Sequence, residues 1–247
     1  MIKKTIYVAC HKDCWTSKHP EYIKIQVGAA IADKRLAMLG DDTGESISKK
    51  NKNYSELAAL YWIWKNDKTS DVVGLCHYRR YFAFQEIDST KGPMLTEENV
   101  EEIIEKIIDP VNIEALFDTY EIILPVPYIM QVTVEQQYCY FHISEDWKIL
   151  KEVIATLFPD YTGSMEQVFQ GEKLYSCNML VMKKKALDEY AEWLFAILDE
   201  VEKKVKISTD SYQARVFGYM AERLLNLYVY HHGLRIKEYP IVFLDKA

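Results

Sequence analysis

Glycine and proline are scarce in this 247-residue chain, nine and seven respectively, and neither an internal repeat nor a low-complexity tract accompanies them, which excludes a linker-rich or disordered architecture. A hydrophobic share of 49% suffices for one large core, so a single domain over residues 1–247 is expected. Positive charge is also in deficit. With 30 Lys and Arg against 37 Asp and Glu, the net charge of −7 argues against nucleic acid as a partner, and any phosphate site has to be a local basic pocket. Long apolar runs are missing. The stretch Ile6-Tyr7-Val8-Ala9 behind Lys3 and Lys4 is too short for a signal peptide, and no later segment reaches the length of a membrane span. A cytoplasmic protein is expected, with peripheral association at the inner membrane face as its closest approach to lipid. Five scattered cysteines, an odd number, do not make a disulfide framework. Cys10-His11-Lys12-Asp13-Cys14 lacks both the two-residue spacing and the second pair of a structural zinc site.

What is present is concentrated in Gly74-Leu75-Cys76-His77-Tyr78-Arg79-Arg80-Tyr81-Phe82. A buried-looking strand with Val72, Val73 and Leu75 runs into a histidine and two arginines bracketed by aromatic rings. Guanidinium is permanently charged and offers a planar fork of donors suited to phosphate, and rings beside it can stack on a base or sugar. At the carboxyl end of a strand, such a cluster sits where open α/β sheets bind ligands. The competing reading is a pair of surface arginines whose stems lie over Tyr78 and Tyr81.

The remaining pattern alternates strand and helix. Residues 5–9 read as a buried strand, Cys10 to about Tyr22 as the loop leaving it, and Gly40 to Gly44 as a turn before the polar run Ser48 to Lys52. Asn53 followed by Glu56 resembles a capping box opening a helix to Asn66. Further strands are expected over Val72–Cys76, Tyr120–Pro125, Tyr175–Met182 and Arg235–Phe243. Helices are expected over Thr96–Ile108, Ser144–Leu157, Ala186–Lys204 and Asp210–Tyr230, with Gln136–Phe141 as an aromatic, polar segment before the second of them. This is an α/β domain with a mixed, mainly parallel sheet and two long helices late in the sequence.

Taken together, Ile6 through Lys12, Asp41 through Ile47, Asn51 through Asn66, Gly74 through Phe82, Tyr175-Ser176-Cys177-Asn178-Met179, Tyr190 through Phe195 and Gln213 through Gly218 with Glu222-Arg223-Leu224 carry a resemblance over nearly the whole chain. The chain resembles a bacterial family of capsular and exopolysaccharide synthesis, known as a domain of unknown function and grouped with glycosyltransferases. The resemblance implies the single-domain, Rossmann-like GT-A fold, a nucleotide-sugar donor such as a UDP-sugar, a saccharide or lipid-linked acceptor, and transfer of a hexosyl residue. GT-A enzymes usually hold a divalent metal on an Asp-X-Asp at the end of a middle strand. Here the corresponding-looking strand ends in His77-Tyr78-Arg79-Arg80, so arginines could neutralise the leaving diphosphate instead. Asp41 and Asp42 are the alternative pair if Mn2+ or Mg2+ is required.

On this reading the donor site draws on Ala9, His11 and Lys12 after the first strand, on Asp42, Asn51 and Tyr54, on His77, Tyr78, Arg79 and Arg80, and on Asn178, a lone amide in an apolar run. Inversion at the sugar needs a base for the acceptor proton. Asp146 is the first candidate, with His142 and Glu145 beside it and Trp147 adjacent for sugar stacking, although acidic residues suit a first helical turn whatever the function. The alternative to an enzyme is a non-catalytic module that binds nucleotide sugar or polysaccharide through the same residues.

Overall fold

Thr5 through Cys10 are all buried, and a strand without polar alternation has to be covered on both faces. That strand, β1 (Lys4–Cys10), is the centre of the structure, a computed structural model that describes residues 2–85 and 100–244. β2 (Tyr22–Gln26) and β4 (Val72–His77) flank it in parallel, and β3 (Leu39–Gly40) extends the sheet beyond β2. On the other side β9 (Leu180–Lys183) runs antiparallel to both β4 and β6 (Ile122–Pro125), and β10 (Ile236–Tyr239) pairs parallel to β6. The order β3-β2-β1-β4-β9-β6-β10 makes β1 and β4 the point from which successive strands depart in opposite directions. At such a switch point the loops diverge and leave a crevice outside the carboxyl ends of the strands. The expected mixed, mainly parallel sheet is what forms.

Two short strands complete the crevice. β5 (Arg80–Phe82) folds back antiparallel on the end of β4, so Tyr78 and Arg79 form the tip of a hairpin closed by the pair His77 and Arg80. β11 (Ile241–Phe243) then pairs with β5. β7 (Tyr128–Ile129) and β8 (Lys173–Leu174) make a separate two-stranded ribbon.

The helices differ from the sequence expectation in instructive ways. The helix expected from Asn53 to Asn66 is two, α1 (Asn51–Tyr54) and α2 (Leu57–Asn66), parted by Ser55 at φ 52°. Asn53 and Glu56 form no capping box: the Asn53 amide donates to Ala214 O at 2.8 Å, and the Glu56 carboxylate accepts from Asn178 at 2.6 Å. α3 (Val100–Ile107) agrees with the expected helix, whose first residues from Thr96 lie outside the described residues. After the short α4 (Ile113–Leu116), the aromatic segment Gln136–Phe141 is itself part of a helix, α5 (Val134–Phe141), opened by a reciprocal capping box between Thr133 and Gln136. α6 (Ser144–Leu157) matches its expected range and is followed by α7 (Thr162–Phe169).

The expected strand Tyr175–Met182 is shorter, because Cys177 and Asn178 take positive φ of 74° and 50° and only Leu180–Lys183 pairs. α8 (Lys184–Glu202) and α9 (Val216–His231) are the two long late helices. Asp210 to Arg215, expected as the start of the last helix, is a turn and a single 3-10 element, and the final strand divides at Pro240 into β10 and β11. Tyr61 and Trp64 of α2 close on Phe195 of α8, the latter pair stacked at 5.7 Å, within one continuous hydrophobic core. No helix among the described residues is long and apolar enough to cross a membrane.

Candidate active site

The crevice at the switch point is a cleft of about 850 Å³. Its walls come from four stretches far apart in sequence: the ends of β1 and β4, α1 with the Ser55-Glu56 link, the β4-β5 hairpin tip, and the segment from Ile207 to Arg215. Seven expected donor residues, Ala9, His11, Asn51, His77, Tyr78, Arg79 and Arg80, line it.

The aromatic and cationic wall is built around Tyr78. The His11 ring meets it edge-on at 4.8 Å between centroids, the Arg79 guanidinium lies 5.2 Å from its centroid, and the Lys12 ammonium 5.3 Å. Phe243 of β11 backs both arginines, at 5.5 Å from Arg79 and 5.4 Å from Arg80, and the Leu244 amide donates to Arg79 O at 2.9 Å. These contacts hold the guanidinium planes by cation–π attraction without consuming their hydrogen-bond donors. Arg79 Nε is buried and has no acceptor among the described residues. Across the cleft Arg215 donates from Nε to Ser55 Oγ at 3.0 Å, leaving its remaining donors for a ligand. Burial and the positive charge of Lys12, Arg79 and Arg215 hold the His11 imidazole below its ordinary pKa, so this wall disfavours added positive charge.

Glu56 is the one carboxylate among the described lining residues, and a buried amide holds one of its oxygens. Asn178 Nδ2 donates to Glu56 Oε1 at 2.6 Å and to Gly218 O at 3.0 Å. The Cys177 amide donates to Glu222 Oε1 at 2.7 Å, and His77 Nε2 lies 2.6 Å from Cys177 O, which places the imidazole proton on Nε2. Glu222 is paired in turn with Arg223 at 2.7 Å, and Arg223 donates to Gln137 Oε1 at 2.5 Å. Two consecutive non-glycine residues in left-handed conformation cost of order 1–3 kcal/mol each, and hydrogen bonds at the Cys177 amide and carbonyl and at Asn178 Nδ2 hold them there. Burial depresses the His77 pKa despite the opposing pull of Glu56, and burial raises that of Glu222 despite Arg223. The floor therefore sets His77, which burial keeps averse to protonation, near Glu56 and the Glu222-bound turn, in a cleft lined by three arginines.

The remaining expected residues lie elsewhere. Lys12 reaches the rim through Tyr78, whereas Tyr54 is buried under the cleft, its ring 4.4 Å from that of Phe217 and its hydroxyl 3.3 Å from Glu202. Asn178 is buried one layer down and reaches the cleft through Glu56. Asp42 forms a two-oxygen pair with Arg35, both at 2.6 Å, away from the cleft lining. Asp41 is fully buried and accepts from the Gly28 and Ala29 amides at 2.8 and 3.0 Å and from Ser48 Oγ at 2.5 Å. Gly28 itself needs to be glycine, since φ is 68° and a Cβ would come within 2.7 Å of Asn51 Oδ1. Asp41 thus spends its oxygens on three protein donors and Asp42 on Arg35, and neither carboxylate lines the cleft. Asp146, His142 and Glu145 are not brought to the cleft. Burial raises the Asp146 pKa, Glu145 pairs with Lys148 at 3.0 Å on the surface, and His142 stacks on Tyr219 at 4.0 Å, where burial and Arg223 lower its pKa to about 4.

Arg215 was hidden from sequence reading by the expected helix, and Glu56 by its reading as a cap. The signal for both is the positive-φ Ser55, which sequence spacing does not reveal.

A solved structure, the apo form of the bifunctional glycosyltransferase WbbM, is similar to this chain with a TM-score of 0.85 and 29% identity. The alignment covers 98% of this chain and 45% of WbbM, so the chain spans less than half the length of that protein. No curated protein matches the chain. The architecture is thereby of the GT-A-like kind, a mixed, mainly parallel sheet between helices. The family model described as "Domain of unknown function (DUF4422)" matches residues 5–233, and the chain belongs to that family.

Proposed function

We propose that the chain is an inverting glycosyltransferase that moves a hexosyl residue from a nucleotide-diphosphate sugar, in the first place a UDP-sugar, to a saccharide or lipid-linked acceptor of a bacterial surface glycan. The observation that carries this reading is the convergence of Arg79, Arg80 and Arg215 with a single carboxylate, Glu56, in one cleft at the carboxyl ends of β1 and β4. The similarity to WbbM supports the same reaction class.

In this mechanism the base and ribose pack against the His11 and Tyr78 wall, and the guanidinium groups surround the diphosphate. As the bond from the anomeric carbon to the diphosphate oxygen lengthens, negative charge grows on the leaving group, and donors already fixed around it stabilise that charge without reorganisation. The acceptor oxygen attacks the anomeric carbon from the opposite face and gives its proton to Glu56. The new bond is oxygen to anomeric carbon, and nucleoside diphosphate departs. Asn178, holding one Glu56 oxygen, aims the other.

The test compares uridine with UDP by thermal shift and then incubates the protein with UDP-sugars in the absence of acceptor. UDP should raise the melting midpoint more than uridine does, and UDP should be released slowly from the correct donor. Equal stabilisation by both ligands removes the diphosphate assignment. Stabilisation by UDP-sugars without any hydrolysis or transfer selects the non-catalytic binding module.

A further inference from the structure

Cys10 and Cys14 play no part in the chemistry above, yet their sulfurs lie 3.2 Å apart. Cys10 ends β1 and is fully buried, its thiol directed at Val8 O at 3.3 Å, whereas Cys14 is half-exposed on the loop that follows. The residues between them are His11, which lines the cleft, Lys12, which faces Tyr78, and Asp13. Lys24 of the neighbouring strand reaches Cys14 O at 3.4 Å and pairs with Asp13 at 3.6 Å, placing a cation at the outer cysteine. The hydrogen bond shared by the two sulfurs, together with the Lys24 charge, lowers the Cys14 pKa, the condition for a thiol that reacts first.

We propose that Cys10 and Cys14 form an oxidisable dithiol whose closure to a disulfide reshapes the donor loop and weakens nucleotide binding in the adjoining cleft. The co-reactant is a peroxide. The Cys14 thiolate attacks one peroxide oxygen, giving a sulfenic acid and hydroxide. Cys10 sulfur then attacks the Cys14 sulfur, the S–OH bond breaks, and the thiol proton leaves with hydroxyl as water. Two electrons pass from the two sulfurs to peroxide, and a dithiol such as dithiothreitol returns them.

The geometry specifies what closure must move. A disulfide requires about 2.05 Å between sulfurs, so the present 3.2 Å must shrink by about 1.1 Å. Cys10 is fixed within a strand hydrogen-bonded on both sides, so Cys14 and the three residues carried between the cysteines make the adjustment. His11 therefore shifts against Tyr78, the ring on which the proposed base and ribose wall is built. The ring closed by the bond spans only residues 10–14, and so short a loop gains little from restricting the unfolded chain. The bond is accordingly of the labile kind that reduction reverses.

The effect on binding rests on the cleft being a nucleotide site, whereas bond formation does not, and the experiment separates the two. Protein treated with hydrogen peroxide is digested under non-reducing conditions and analysed by mass spectrometry, while UDP affinity is measured by calorimetry before oxidation, after it, and after dithiothreitol. The expected result is a Cys10–Cys14 linkage, a UDP dissociation constant raised several-fold, and full recovery on reduction. Cys14→Ser should bind UDP like the reduced wild type and lose the response to peroxide. Linkage to Cys76 instead, or no linkage before the protein unfolds, overturns the proposal, as does a Cys10–Cys14 bond with unchanged UDP affinity. If the reduced protein binds no UDP, the nucleotide reading fails by itself; the linkage then still decides the dithiol, and a change in protection of residues 9–12 to hydrogen exchange on oxidation decides the loop movement.

Discussion

Two regions of this molecule combine a histidine, two carboxylates and aromatic rings, and only one of them opens onto a cleft. At the cleft floor His77, Glu56 and Glu222 surround the turn at Cys177, under three arginines that line free volume. At the start of α6, His142, Glu145 and Asp146 stand beside Tyr138, Trp147 and Tyr219, and the rings pack on one another instead of leaving space. Residue type is nearly the same in both. What separates a reactive arrangement from a packed one is whether backbone turns hold a charged group at the edge of a void, and here those turns are the strained residues Ser55, Cys177 and Asn178.

The sharpest way to break this comparison is to exchange charge for amide in each region. Glu56→Gln should lower turnover by about 10² to 10⁴ with UDP affinity nearly unchanged, the usual worth of a positioned base, while Asp146→Asn should keep turnover within about threefold of wild type. Steady-state kinetics beside calorimetry decides it. The reverse ranking would return the base to α6, and product stereochemistry would show whether a side-chain base is needed at all.

A third carboxylate sharpens the contrast through stability. Asp41→Ala strips acceptors from two backbone amides and a hydroxyl in a buried site, so unfolding free energy should fall by about 2–4 kcal/mol in urea titrations. Folded Asp41→Ala protein should still bind UDP. Loss of binding in a stably folded variant would return Asp41 to its place in the candidate metal pair.

Arg79→Ala or Arg80→Ala should weaken UDP by about 10-fold each and uridine hardly at all, as expected when one charge-assisted hydrogen bond to the diphosphate is removed. Adding Mn2+ or EDTA should change the wild-type UDP dissociation constant by less than about twofold, because the cations proposed for the diphosphate are part of the chain. A large gain of UDP affinity on adding Mn2+ would overturn that assignment.

The smallest effect is a pH dependence. Burial and Arg223 hold His142 at a pKa of about 4, below the ordinary 6.5, so the native state disfavours its protonation. The stability that the neutral form contributes is full above pH 6.5 and is lost as pH falls toward about 4. Glu222 and Asp146, both raised by burial, act in the opposite direction over acid pH, so the quantity to measure is the difference between wild type and His142→Phe. Because His142 is partly exposed, screening limits that difference to about 1 kcal/mol between pH 6.5 and 4. A flat difference curve would mean that the ring is more open to water than its stacking on Tyr219 implies.

How far these features can be read from sequence depends on their range. β1, β4 and α6 are visible in residues 5–9, Val72 to Cys76 and Ser144 to Leu157 because periodicity and burial are local. The arginine pair is visible for the same reason, as a polar ending on an apolar strand. α5 carries a readable sign in Thr133 and Gln136, a cap three residues apart, that its aromatic composition obscures. Glu56 and Arg215 were not legible as residues of one cleft: 159 positions part them, and they line it together because Ser55 breaks a helix and Asp210 delays another. The same long reach explains Asn178, whose amide joins Glu56 across 122 positions.

The brace behind the arginines has a consequence for the order in which the molecule acquires its parts. Phe243 and Leu244 hold a hairpin whose strand β4 pairs with β1 near the start of the chain, and they lie beyond residue 233, where the family match ends. During synthesis β1, β2 and β4 can assemble once residue 77 has been made, whereas the arginine hairpin waits for β11. Nascent chains halted before residue 240 would carry the parallel half of the sheet but an unbraced hairpin. A ligand bound at the arginines could therefore stabilise the fold only once β11 is in place, leaving the yield of the earlier folding steps untouched.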